Sequence, residues 1–275
     1  MKHILIPTDF SDNAWNAMVY GLRLFKEVPC TFYVMYISTI STYSGEETIL
    51  MGSRDVMLQA STKRLQDLIA VLTAQYFNPK HTFVPVAAHD FFVEAIQKKQ
   101  QKHHISLIIM GTKGATGLKK ATIGSNTANV ITKVKCPILV VPEKASFTGL
   151  VSIAFPTDYI LNYETEVLDT LMELIELHGS SLQIMHMSKE PSALSPAAKR
   201  NKEFLHQHFT EIPHEFREIH GNRLEVVLHS FCEKQHTSMI AMVAKNLNFL
   251  QRLLFRPTVE KISYHTKIPF LVLHE

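Results

Sequence analysis

HILIPTDF, residues 3–10, returns as SIAFPTDY, residues 152–159. Each is a short apolar run closed by Pro-Thr-Asp. A near-continuous apolar run bounded by turn residues suits a strand buried on both faces of a parallel sheet. Two further markers repeat in the same order: SLIIMG (106–111) as SMIAMV (238–243), and CPILVVPE (136–143) as IPFLVLHE (268–275). A repeat of this length can hold its own core, unlike the units of a solenoid. The pattern predicts two tandem domains, 1–145 and 150–275, with KASFTG (144–149) breaking the apolar pattern between them. The first half carries extra residues between its first two markers. They are placed at STISTYSGEETILMGSR (38–54), a Ser/Thr/Gly-rich stretch expected to form a loop.

Between the apolar runs lie helical patterns. Trp15, Met18, Val19 and Leu22 recur at helical spacing behind Ser11, a cap candidate. Leu65, Leu68, Ile69 and Leu72 repeat that spacing, and FFVEAIQKKQQKHH (91–104) reads as a helix with a basic last turn. Strands alternating with helices imply right-handed crossovers and a doubly wound α/β sheet. Ligands of such sheets bind beyond the carboxyl ends of the strands, at the switch point. The loops after IPTD (6–9) and IIMG (108–111) are therefore where a site is expected.

Composition narrows the function. The 275 residues are 46% hydrophobic and carry a net charge of +3, too mild a balance to argue for nucleic acid. No apolar stretch approaches a membrane span, and MKHILIPTDF is too short an apolar run for a secretory leader. Cys30, Cys136 and Cys232 are scattered and lack CxxC spacing, which predicts free thiols in a reducing, cytoplasmic setting. The fifteen histidines include no HExxH, and no metal ligands or catalytic residues are assigned.

The segment MGTKGATGLKKATIGSNTANVI (110–131) carries the chemistry. Gly111 and Gly114 follow a strand, where a missing Cβ permits a sharp turn and lets backbone N–H groups approach an anion. Gly124, Ser125, Asn126 and Thr127 precede an apolar helical pattern, a natural phosphate seat. Lys113, Lys119 and Lys120 lie between and could offset phosphate charge. No Walker loop occurs, and no GxGxxG follows the first strand. The plain alternative is a turn, a helix start and solvated lysines. The second copy replaces Gly111, Gly114, Gly124 and Ser125 by Val243, Asn246, Arg256 and Pro257 while keeping the apolar frame. That contrast favours a ligand role in the first copy, and Pro257, having no N–H, argues against one in the second.

Gly111-x2-Gly114-x9-Gly124-Ser125 resembles the signature of ATP-binding universal stress proteins. ILIPTDFSDNAWNAM resembles the family's first strand and helix start, and CPILVVP its last strand. The resemblance covers 1–143 with the signature intact, and 151–275 in frame with the signature lost. It implies two tandem Rossmann-like domains, each a five-stranded parallel sheet with helices on both faces. Pairing of PILVVP with PFLVLH would make an intramolecular pseudo-dimer and cover exposed sheet edges. It further implies ATP, with Mg2+ as its counter-ion, across the tips of the first and fourth strands. Pro7, Thr8 and Asp9 would lie at the first tip, with Asp9 near the adenosine, and Ile37 would line the adenine pocket. Met110, Gly111 and Gly114 would bound the ribose and phosphates, with Lys113 beside them, and Gly124, Ser125, Asn126 and Thr127 would hold the phosphates. Asp9 has a second reading as a helix cap, and Asp158 repeats it.

The function expected is a nucleotide-responsive stress-response module rather than an enzyme, with slow hydrolysis conceivable. Ordering of 38–54 and 112–123 by the ligand would change the surface shown to an unidentified protein partner, with a homodimer as a candidate assembly. Two alternatives stand beside it: a nucleotide-free dimerising scaffold, and an adenine-nucleotide enzyme of a related α/β fold. The second needs HxGH or SGGxDS-like loops where the chain has PTDFSDNA.

Overall fold

The run KHILIP forms β1 (Lys2–Pro7), and Ser11 then opens α1 (Asp12–Leu24) as its N-cap, its hydroxyl accepting the Ala14 N–H at 3.3 Å. Ala14, Ala17, Met18, Leu22 and Leu24 form the buried face of α1. Burial of each large apolar side chain there contributes about 1.5–3 kcal/mol. The computed structural model describes residues 1–38, 47–112, 124–160, 163–188, 190, 193–221, 224–244 and 267–274, with backbone alone at 47–54 and 224–225. Contacts divide the chain into two units, Met1–Cys136 and Pro137–Glu275.

In the first unit β1 and α1 are followed by β2 (Cys30–Ser38), α2 (Glu47–Gln75), β3 (His81–His89), α3 (Phe92–Lys102), β4 (Leu107–Gly111) and α4 (Ser125–Lys133). The sheet order is β3-β2-β1-β4, every pair parallel. The chain steps from β1 to β3 in one direction and then crosses back to β4. Right-handed crossovers therefore put α1 and α2 on one face and α3 on the other, where it packs against α4. Pro85 sits within β3, an edge strand of this sheet, where its missing N–H costs no ladder bond. The stretch 38–54 is not a loop throughout: residues 47–54 are the first turns of α2, whose 29 residues bury Leu65 and Leu72 against the sheet. Residues 39–46 lie outside the described part.

The second unit contains β5 (Ile138–Val141), β6 (Ser152–Thr157), α5 (Thr165–His178), β7 (Ser181–Ser188), α6 (Pro196–His208), β8 (His214–His220), α7 (Leu224–Lys234), β9 (Met239–Val243) and β10 (Phe270–Leu273). Its order is β5-β10-β9-β6-β7-β8. The pairs from β10 to β8 are parallel, and β5 runs antiparallel to β10 with Leu139 opposite Leu271. This is the expected pairing of PILVVP with PFLVLH. Each sequence repeat thus contributes five strands, yet contacts assign the fifth strand of the first repeat to the second unit.

All three cysteines are buried, and none forms a disulfide. Burial pushes the Cys136 thiol up to about 12 and the Cys232 thiol up to about 11, so neither presents a thiolate at neutral pH. Among the described residues no helix is long and apolar enough to cross a membrane.

Candidate functional site

The tip of β1 closes on itself. The Thr8 N–H donates to the Met35 carbonyl at 2.8 Å, tying the tip to β2. The Thr8 hydroxyl accepts the Phe10 N–H at 3.0 Å, and Asp9 Oδ1 accepts the Ser11 N–H at 3.0 Å. These bonds hold Phe10 at φ 65°, a left-handed conformation that costs an ordinary residue roughly 1–2 kcal/mol. The Phe10 ring lies 5.0 Å from that of Tyr36, with the Arg64 guanidinium 4.0 Å over its face.

The second repeat builds the same tip. Tyr159 has φ 57° and donates its N–H to Thr157 Oγ1 at 2.9 Å, while Ile160 donates to Asp158 Oδ1 at 3.0 Å. One carboxylate oxygen of Asp9 therefore serves a turn that both copies need. The aromatic residue after Pro-Thr-Asp, repeated in both halves, is the signal that sequence reading passed over.

At β4 the close approach is to α1. A Cβ on Gly111 would lie 2.9 Å from the Asn13 side chain, and one on Gly21 would lie 2.7 Å from Ile109 Cδ1. The helix rests on the strand through these two missing side chains. Asn13, buried beneath the tip, points its amide toward Thr112 Oγ1 at 3.5 Å. Beyond Thr112 the chain leaves the described residues and returns at Gly124, whose N–H donates to the Thr112 carbonyl at 2.6 Å. The Thr127 hydroxyl donates to the Gly111 carbonyl at 2.9 Å. The two bonds pinch Gly111 and Thr112 against Gly124 and Thr127; Lys113 and Gly114 lie outside the described residues.

The structure gathers Met110, Gly111, Gly124, Ser125, Asn126 and Thr127 around that pinch. The register Leu5 opposite Ile108 brings the tip of β1, with Pro7, Thr8 and Asp9, alongside. Ile37 stands buried one strand further, on β2. Gly124 is the N-cap of α4; no side chain caps this helix, and its first turn holds no acidic residue. Its exposed first residues, Ser125 and Asn126, present the positive end of the helix dipole. Thr127 differs from them: it is buried, and its proton is committed to Gly111.

At the matching strand tip of the second repeat, aromatic side chains pack on one another. The Tyr163 hydroxyl is hydrogen-bonded to Thr157 Oγ1. The Tyr159 ring stacks on His186 at 4.8 Å with 9° between planes, and Asn201 Nδ2 donates to the Tyr159 carbonyl at 2.7 Å. Val243 is buried at the place of Gly111. Asn246, Arg256 and Pro257 lie outside the described residues.

A parallel α/β sheet, doubly wound and repeated in tandem, defines the class of fold. Comparison supplies the family. The model of the universal stress protein family matches residues 1–142. A universal stress protein of Methanocaldococcus jannaschii is 32% identical over 147 residues, covering 52% of this chain and 82% of that protein. A second from the same organism is 26% identical over 162 residues, covering 53% of this chain and 97% of the other. The crystal structure of a universal stress protein from Archaeoglobus fulgidus superposes over 98% of this chain and 97% of its own, with TM-score 0.68 at 14% identity, a likeness of fold. The chain belongs to the universal stress protein family.

Proposed function

We propose that the first repeat binds ATP, with Mg2+ accompanying the triphosphate, and that the protein works as a nucleotide-responsive stress-response module and not as an enzyme. The observation that carries this reading is the start of α4. Its N-terminus has no side-chain cap and no acid in its first turn, and Gly124 anchors it to the end of β4. In this reading Gly124, Ser125 and Asn126 meet the phosphates, which Gly114 helps to bound with Lys113 beside it. Met110 and Gly111 bound the ribose, Asp9 faces the adenosine beside Pro7 and Thr8, and Ile37 lines the adenine. Thr127 acts by holding the loop base. Domain limits of 1–145 and 150–275 follow the repeat, with nucleotide in the first alone and the second, whose strand tip packs Tyr159 on His186, as a structural counterpart. Buried cysteines outside any disulfide fit a reducing compartment, and we place the protein in the cytoplasm.

The test is calorimetry with Mg2+ and ATP on the full chain and on Gly114→Val, with a melting curve to establish folding. One nucleotide per chain, lost in a folded variant, supports the reading. Two per chain overturn the assignment of the second repeat. No binding at millimolar nucleotide favours the dimerising scaffold. One observation already speaks for the scaffold: Gly111 has a packing reason of its own.

A further inference from the structure

On the second unit, away from the strand tips, two histidines from different elements meet. His206 stands exposed on α6 and His214 opens β8; His206 Nδ1 lies 2.9 Å from His214 Nε2. We propose that this pair is a binding site for a divalent transition-metal ion of the Cu2+ or Ni2+ kind.

The hydrogen bonds set the tautomers. His214 Nδ1–H donates to the Ile212 carbonyl at 3.0 Å, which leaves Nε2 as a lone pair directed at His206. A ring N–H held by a backbone carbonyl is the outer support that metal-binding histidines commonly carry. His206 accordingly donates Nδ1–H across the gap. A metal ion takes the place of that bridging hydrogen. The His206 proton passes through solvent from Nδ1 to Nε2, both rings stay neutral, and no electron is transferred. The His214 ring is fixed by Ile212, so exposed His206 makes the turn that brings both nitrogens to a common point. Phe216 packs edge-on against both rings, at 5.7 Å from His214 and 6.1 Å from His206, and walls one side.

The spacing selects the metal. A His206 turn that keeps the nitrogens at their 2.9 Å spacing sets about 90° at an ion bonded at about 2.0–2.1 Å. A tetrahedral centre would need them about 3.3 Å apart. A right angle between nitrogen ligands belongs to tetragonal Cu2+ or Ni2+, and Cu2+ stands highest in the affinity order. Among the described residues no three His, Cys, Asp or Glu side chains converge on a metal position. Water completes the coordination. Lys202, whose ammonium lies 5.1 Å over the Phe216 ring, opposes the cation across an exposed, salt-screened surface.

The site belongs to the second repeat alone. Met35 and Met185 hold matching places on β2 and β7. Counting back from them, Phe83 stands in the first repeat where His214 stands in the second. Sequence spacing hides the pair, because α6 and β8 bring it together.

The experiment adds substoichiometric CuCl2 to the full chain and follows the histidine ring signals by 1H–13C NMR. It then compares Cu2+ uptake of wild type with His206→Ala and His214→Ala. The His206 and His214 signals should broaden together and share one dependence on added metal. Each variant should lose that class of site, with affinity falling at least about tenfold, while ZnCl2 competes poorly. His206→Ala removes an exposed side chain and keeps the fold testable if His214→Ala does not. Unchanged uptake in folded His206→Ala, or broadening confined to other histidines, overturns the proposal.

Discussion

Asn13 occupies the space that a side chain at residue 111 would need. The contact joins the first turn of α1 to the last residue of β4 and explains a glycine that the sequence comparison credits to a ligand. The second repeat supports the packing account. Ile109 and Gly111 on β4 correspond to Ala241 and Val243 on β9, so bulk leaves one position and arrives two residues along the strand. Among the described residues, α1 opens at Asp12, three residues after Asp9, and α5 at Thr165, seven residues after Asp158. Gly111→Ala should destabilise the first unit by about 1–3 kcal/mol through overpacking. Adding Asn13→Ala should return part of that loss. Urea unfolding of the two single variants and the double measures the coupling; additive losses would separate the residues.

Thr127→Val keeps the shape of the side chain and removes its bond to the Gly111 carbonyl. A loss of about 1 kcal/mol is expected, with Thr127→Ser close to wild type. If the hydroxyl served phosphate instead, nucleotide affinity would fall in Thr127→Val while the melting temperature held.

Ser11→Ala and Ser195→Ala remove the caps of α1 and α6, where each hydroxyl accepts an N–H at 3.3 and 3.2 Å. Each should cost about 0.5–2 kcal/mol. Thermal melts of the two variants check this, and replacement by Asp should restore most of the stability.

His186 gives the second unit a pH dependence. Burial holds its imidazole below the ordinary value of about 6.5; His220 and Lys202 press the same way, while Glu218 and Asp158 oppose. The unfolded chain therefore takes the proton first. The stability contributed by neutral His186 is present above about pH 6.5 and is lost as the pH falls from there toward the lower folded value. His208 is shifted down by burial as well and adds to the slope of the same unit, and His81 gives the first unit a slope of the same sign. Denaturant unfolding at about pH 7.5 and 5.5 should show a shallower loss for His186→Phe, which keeps a ring against Tyr159.

The strands and the tandem repeat were legible because buried parallel strands announce themselves as apolar runs, and the Pro-Thr-Asp tip is local enough to recur as a motif. The cap at Ser11 was legible for the same reason. What escaped was long-range or shared. The Asn13–Thr112 contact spans most of the first unit. The early turns of α2 hide in a stretch rich in Ser, Thr and Gly, where residues 47–54 are nonetheless helical. Thr127 sits among phosphate-binding candidates, yet only its neighbour in space shows that its proton is spent on Gly111. Lys113 and Gly114 remain readings of the sequence.

The pairing of β5 with β10 has a practical corollary for anyone who dissects the gene. A fragment begun at residue 150 leaves Ile138–Val141 behind and bares the Phe270–Leu273 edge, four apolar residues with an open row of backbone donors and acceptors. Such an edge invites another chain. A fragment begun at Pro137 keeps Ile138–Val141 paired over that edge, and the open edge moves to β5.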